Sequence, residues 1–265
     1  MKIGCCVNMV AEGPDGIGIE RLEVLASSGY DYVELPLAQM MALGDEAFAA
    51  LLERVDASGI ACEACNNFFP ADHPITGEQA DLAKLADYLD KALERVVRLG
   101  AKSIVFGSSG AKNVPPGFPM DRAWEQIVET LRLVDEKIGG RDMAVAIEPL
   151  CRLESNIVLN GEEGLQLARD VDRDSIRLLL DYYHLVAEEE EQDIIGKASD
   201  YLQHIHIANP VGRVYPRGDD GVDYRTFISN LKKAEYDSRI SIEAFTDNFA
   251  ESAPEALRTI RTACE

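Results

Sequence analysis

Four side chains able to bind a cation stand at the ends of four successive apolar runs. Glu148 follows AVAI, Asp181 follows LLL, His206 follows the His-Ile of QHIHI, and Glu243 follows ISI. In the stretch LLLDYYH, His184 comes three residues after Asp181. Taken singly, each has a bland reading. A strand-end carboxylate can cap a helix or pair with an arginine, and an isolated histidine is commonly structural. Their joint occurrence, one per run, changes the argument, because three carboxylates cannot converge without a counter-cation or large pKa shifts. A divalent ion removes the difficulty. Oxygen and imidazole donors without a thiolate favour Mn²⁺, Mg²⁺, Co²⁺ or Fe²⁺ over a structural zinc. One divalent ion is therefore the expected cofactor, Mn²⁺ first, with Asp181 a ligand and His184 beside it to meet a substrate.

These residues need a scaffold that brings strand ends together. Eight β-rich runs recur: 2–8, 30–37, 60–68, 102–110, 144–150, 176–184, 202–209 and 239–245. Amphipathic segments of helical period separate them, at 19–29, 45–59, 78–100, 124–140, 162–171, 193–202, 224–236 and 254–265. Gly29, Gly59, Gly100 and Gly139-Gly140 sit where a left-handed residue would end a helix. Strands alternating with helices imply parallel pairing, and eight units fit a closed (β/α)8 TIM barrel over residues 1–265 as one domain. No G-x-G-x-x-G follows the first run, and no Pro/Gly/Ser-rich linker divides the chain. In such a barrel a charged group in mid-strand is costly, whereas the C-terminal strand ends face the mouth. The long segment GSSGAKNVPPGFP (107–119) and HPITG (73–77) are loops expected over that mouth. The run Glu188-Glu189-Glu190-Glu191 reads as a solvated helix start.

Composition narrows the partners. The formal net charge of −21 disfavours nucleic acid and anionic lipid surfaces. No apolar run approaches the roughly 20 residues that cross a bilayer, so no membrane segment is expected. MKIGCCVNMV reads as a first strand and not as a signal peptide. The six cysteines are then reduced thiols of a cytoplasmic protein, and Cys62-x-x-Cys65 without a second pair reads as packing.

The pattern AIEPL…LLLDYYHL…HIHIAN…GR…SIEAF resembles the xylose isomerase-like TIM-barrel superfamily. Within it, the nearest likeness is to sugar isomerases and epimerases such as ketose 3-epimerases and hydroxypyruvate isomerases. The resemblance covers essentially the whole chain, including CNNFFP (65–70) and FGSSGAKNVP. It implies Glu148, Asp181, His206 and Glu243 as metal ligands and Glu154 as a partner of substrate hydroxyls. It implies His184 and Arg213 as the pair holding the oxygens near the reacting carbon. NPVGR is one residue longer here than in those epimerases, which leaves Arg217 competing with Arg213. His204 should share a strand face with His206 as a structural or supporting residue, and His73 should lie on the surface.

The implied activity is a divalent-metal-dependent isomerase or epimerase of a ketose-like, small-molecule sugar, free more than phosphorylated. A proton α to a ketone is barely acidic. Chelation of the carbonyl and a neighbouring hydroxyl stabilises the enediolate left behind, and a positioned carboxylate base contributes about 10²–10⁴-fold. By resemblance, Glu148 and Glu243 are catalytic: one takes the proton and the other returns one from the opposite face. His184 and Arg213 would donate to the developing oxyanion. GSSGAK (107–112) is read chiefly as a substrate-covering loop, with an anion cradle as the lesser reading. Loss of a β-hydroxyl from the same enediolate makes a dehydratase or lyase the alternative, as in keto-inositol or dehydroshikimate dehydratases. A repair endonuclease of related fold would need more than this chain's four histidines. A homo-oligomer is compatible with the sequence.

Overall fold

Eight strands form in the computed structural model, which describes residues 1–265. They are β1 (Lys2–Cys6), β2 (Tyr32–Pro36), β3 (Cys62–Asn66), β4 (Ser103–Phe106), β5 (Ala144–Ile147), β6 (Ile176–Asp181), β7 (Leu202–Ile207) and β8 (Arg239–Ile242). All neighbours pair in parallel, and β1 meets β8 with Ile3 opposite Ile240, which closes the barrel in sequence order. The ring of helices follows the expected periodicity. Leu82–Leu99 shows why: Asp81 accepts hydrogen bonds from the N–H groups of Ala83 and Lys84 at its start. Leu85, Leu89, Ala92, Leu93 and Val96 make its buried face, and Gly100, at φ 79°, ends it in the left-handed region.

Three local expectations need correction. The segment 193–202 yields only a short helix, Ile194–Lys197, and a 3-10 turn, Ser199–Tyr201. Gly196 weakens it by about 1 kcal/mol relative to Ala, and Ile194, Ile195 and Ala198 are too few buried residues to carry a longer face. The last helix spans Phe249–Cys264, starting before Pro254, because Phe249 and Ala253 extend its buried stripe. The four-glutamate run does not start a helix; it follows the end of Tyr182–Ala187. Glu190 instead accepts from the N–H groups of Gly161 and Glu162 at 2.8 and 3.3 Å, capping the neighbouring helix Gly161–Val171.

A continuous apolar core fills the space between barrel and helices. Inside the barrel the apolar filling is sparse, with Val105, Ala146 and Leu179 forming a separate buried cluster. Polar side chains take much of the remaining interior: Tyr32 and Glu34 on β2, His204 and His206 on β7, and Ser241 on β8, all fully buried. All six cysteines are free, Cys62 and Cys65 among the buried ones. No helix is long and apolar enough to cross a membrane.

Candidate active site

The C-terminal ends of β5 to β8 bring four donors together. Donor atoms of Glu148, Asp181, His206 and Glu243 all lie within 4.8 Å of one another, and all four residues are buried. His206 sits centrally, with Nδ1 3.0 Å from Glu148 Oε1 and 3.2 Å from Glu243 Oε2. Backbone bonds lock the strand ends beneath them: Glu148 N–H donates to Phe106 O and Glu243 N–H to Ile207 O, both at 3.1 Å. Gly107 completes the cradle, because a Cβ there would overlap the Glu148 carboxylate. Asn66 Nδ2 donates to Glu243 Oε1 at 3.3 Å.

The stretch LLLDYYH now has a physical reading. Asp181 closes β6 and divides its oxygens. Oδ1 accepts the Tyr183 N–H at 2.8 Å, starting the helix Tyr182–Ala187, while Oδ2 remains for the site. That helix carries His184, whose Nδ1 accepts the Cys151 N–H at 3.2 Å. This bond assigns the proton to Nε2, which is buried without a hydrogen-bond partner 3.7 Å from Asp181 Oδ2. Burial lowers the His184 pKa against the pull of Asp181, so a neutral N–H donor stands beside the Asp181 carboxylate.

Arg213 enters from the loop after β7 with φ 51°, a left-handed conformation that costs a non-glycine residue about 1 kcal/mol or more. The loop is held by bridges from Val214 to Asn209 and Phe245, and by Phe245 N–H donating to Arg213 O at 2.8 Å. The guanidinium lies over the Tyr183 ring at 4.9 Å. It donates to Glu154 Oε1 at 2.9 Å, to Asp181 Oδ2 at 3.4 Å, and to Glu243 Oε2. Arg217 is exposed and pairs with Asp219 and Glu255, so Arg213 is the arginine at the site.

Electrostatics separates the carboxylates. Burial raises the pKa of Glu148 against the attraction of His206, and raises that of Asp181 against His184 and Arg213. Glu243 is also penalised by burial, yet His206 and Arg213 hold it well below the usual carboxylate range. Burial likewise opposes the imidazolium of His206, but Glu34, Glu243 and Glu148 together raise its pKa well above the usual value. His206 and Arg213 are thus the cations that offset the acidic cluster.

A cavity of about 360 Å³ opens over this cluster. Its wall includes Glu148, Glu154, Arg213 and Glu243, together with Asn8, Gln39, Asn67, Phe69, Ser108 and Ser109. Phe68 is in the core and Tyr183 supports Arg213. GSSGAK covers the cavity but offers it no cation. Lys112 is fully buried and donates to the Glu148 carbonyl oxygen at 3.0 Å. His73 bonds Asp72 and packs on Tyr88, at 4.9 Å between ring centroids.

Sequence reasoning missed Glu34, fully buried and bonded to both His204 and His206. The available signal was a lone carboxylate in the apolar run YVELPL. Gly107, Asn66 and Lys112 carried no comparable signal.

Closed parallel barrel and strand-end cluster define the class, and the chain belongs to the xylose isomerase-like TIM barrel family, whose model matches residues 22–263. Among curated relatives, L-ribulose 3-epimerase of Methylomonas sp. (strain DH-1) is 26% identical over 85% of this chain and 78% of its own. Ketose 3-epimerase of Arthrobacter globiformis is 25% identical over 98% of this chain and 88% of its own. In fold, the chain matches the D-psicose 3-epimerase of Clostridium cellulolyticum H10, solved with D-tagatose, at a TM-score of 0.87 and 20% identity over 100% of both chains. These relatives place the chain among enzymes of the isomerase class, and the dehydratase alternative is not favoured by them.

Proposed function

We propose that this protein is a divalent-metal-dependent epimerase or isomerase of a ketose-like sugar, working by proton abstraction α to a carbonyl. The observation supporting it most directly is the convergence of Glu148, Asp181, His206 and Glu243 within 4.8 Å. The donor set fits a hard divalent cation: three carboxylates and one imidazole, with a glycine-sized gap behind Glu148. Bound to those four residues, an ion would supply Lewis-acid stabilisation of an enediolate.

The chain's own groups take the remaining roles. Glu148 and Glu243 project from the ends of β5 and β8, both approach His206 Nδ1, and both line the cavity. One removes the proton and the other returns one from the opposite face, and the roles exchange with the direction of reaction. His184 Nε2–H and the Arg213 guanidinium are donors for the substrate oxygens, and Glu154 accepts from a hydroxyl. With Lys112 turned away and the charge of Arg213 offset by three carboxylates, the cavity has no spare positive charge for a phosphate, which favours a free sugar.

The test is incubation with a ketose panel in D₂O after loading with Mn²⁺. Deuterium at C3 identifies an epimerase, and deuterium at C1 or C2 an aldose–ketose isomerase. Product formed with loss of water would move the protein to the lyases, and a panel with no exchange under any of the four metals overturns the proposal.

A further inference from the structure

Beneath the acidic cluster, inside the barrel, lies a further carboxylate that the proposed chemistry does not use. Glu34 is fully buried on β2, and its only ion-pair partners are two histidines. Oε1 lies 3.0 Å from His206 Nε2. Oε2 lies 2.8 Å from His204 Nε2 and accepts the Ser241 hydroxyl at 2.5 Å. The chain of contacts continues from Ser241 Oγ to the Tyr32 hydroxyl at 2.8 Å. On β1, Gly4 leaves the room that the Tyr32 ring fills, since a Cβ there would overlap it. Strands β1, β2, β7 and β8 therefore all contribute to holding Glu34 in one place.

A carboxylate buried without lysine or arginine is expensive unless its neighbours hydrogen-bond it. Here the engagement is directional. Glu34 meets the Nε2 side of His206, while the Nδ1 side is aimed between Glu148 and Glu243. An imidazole binds a metal ion only through a nitrogen that carries no proton, and a hydrogen-bond acceptor on the other nitrogen decides which one that is.

We propose that Glu34 is the positioning residue of the ion site: it holds the Nε2 proton of His206 and so presents the Nδ1 lone pair as the nitrogen ligand. His204 and Ser241 occupy the other oxygen of Glu34, which prevents its carboxylate from rotating away. This inference rests on the reading of the four residues above as an ion site, and its test separates the two.

Co²⁺ titration, followed by its visible absorption, reads affinity in wild-type protein and in Glu34→Leu and Glu34→Gln. Leucine leaves no acceptor, and affinity should fall about 10–100-fold. Glutamine keeps one acceptor oxygen for two histidines, and the loss should be smaller. Ser241→Ala, which leaves the Glu34–His206 contact in place, should lose less than Glu34→Leu. Histidine ¹⁵N spectra of the Zn²⁺-loaded wild type give a second readout that needs no Glu34 variant to fold. The His206 signal, assigned by its loss in His206→Asn, should show the proton on Nε2. A proton on Nδ1, or Co²⁺ affinity unchanged in Glu34→Leu, overturns the role of Glu34 alone. Wild-type protein that binds no Co²⁺, or Asp181→Ala that binds it equally well, overturns the ion site itself.

Discussion

Gly107→Ala is the smallest change that tests the site's geometry. Gly107 follows β4, and the added Cβ would overlap Glu148 Oε2, with Glu148 Cδ at 3.3 Å and Leu150 Cδ2 at 3.6 Å. Its backbone is outside the left-handed region, so alanine meets no conformational penalty there. Restricting the unfolded chain should even favour folding by about 0.4–1 kcal/mol. Against this stands overpacking of about 1–3 kcal/mol, relieved only if the Glu148 carboxylate swings away and gives up its 3.0 Å contact with His206. The net effect on folding is then a loss of about 0–2.6 kcal/mol. The effect on function should be larger: a displacement near 1 Å is worth about 10²-fold in turnover, and with one ligand disturbed the ion affinity should fall by at least the roughly 10–100-fold that loss of an outer-shell partner costs. Gly196→Ala is the control, with nothing within 4 Å of its Cβ and an expected gain of up to about 1 kcal/mol. Thermal unfolding, metal titration and deuterium exchange are measured on both variants. Should Gly107→Ala bind Mn²⁺ and exchange deuterium like wild type, the placement of Glu148 in a glycine-sized cradle is wrong.

Three further outcomes are expected. Asp181→Ala should abolish stoichiometric metal content, whereas His184→Ala should keep the metal and lose turnover by about 10²–10³-fold; metal analysis beside initial rates decides it. Ion binding at His206 Nδ1 must displace a proton, because neighbouring carboxylates outweigh burial and raise its pKa well above the usual 6.5. Affinity should therefore rise about tenfold per pH unit until that raised pKa is passed, and calorimetry in two buffers of different ionisation enthalpy should detect the released proton near neutrality. Burial lowers the Lys112 pKa from 10.5 to about 8, partly restored by Glu148 and Glu154. Between those values the unfolded chain holds more protons, so the burial penalty, complete below about 8, fades as pH rises to 10.5. Stability of metal-free wild type minus that of Lys112→Met should thus increase by about 3 kcal/mol over the window, and denaturant titrations showing a constant difference would refute the assignment.

The strands and most helices were legible because their signals are local. Alternation and helical period depend on neighbours a few residues away, and so do caps such as Asp81 and stops such as Gly100. The expected strand runs overreached at their C-terminal ends, where apolar character continues into loops, as at Pro149-Leu150. Glu190 was misread for a related reason: the helix it caps begins 29 residues earlier, at Gly161.

For the site, the amino-acid order alone determined that three carboxylates and an imidazole follow β-forming runs on four consecutive units, because donor type and strand register are written locally. Only the tertiary structure decided how they meet. Closure of the barrel sets Glu34 against His206 across 172 positions, and a left-handed backbone at Arg213 aims one arginine inward while Arg217 stays in solvent. A contact of that separation depends on the ring closing, and no window along the chain contains both partners.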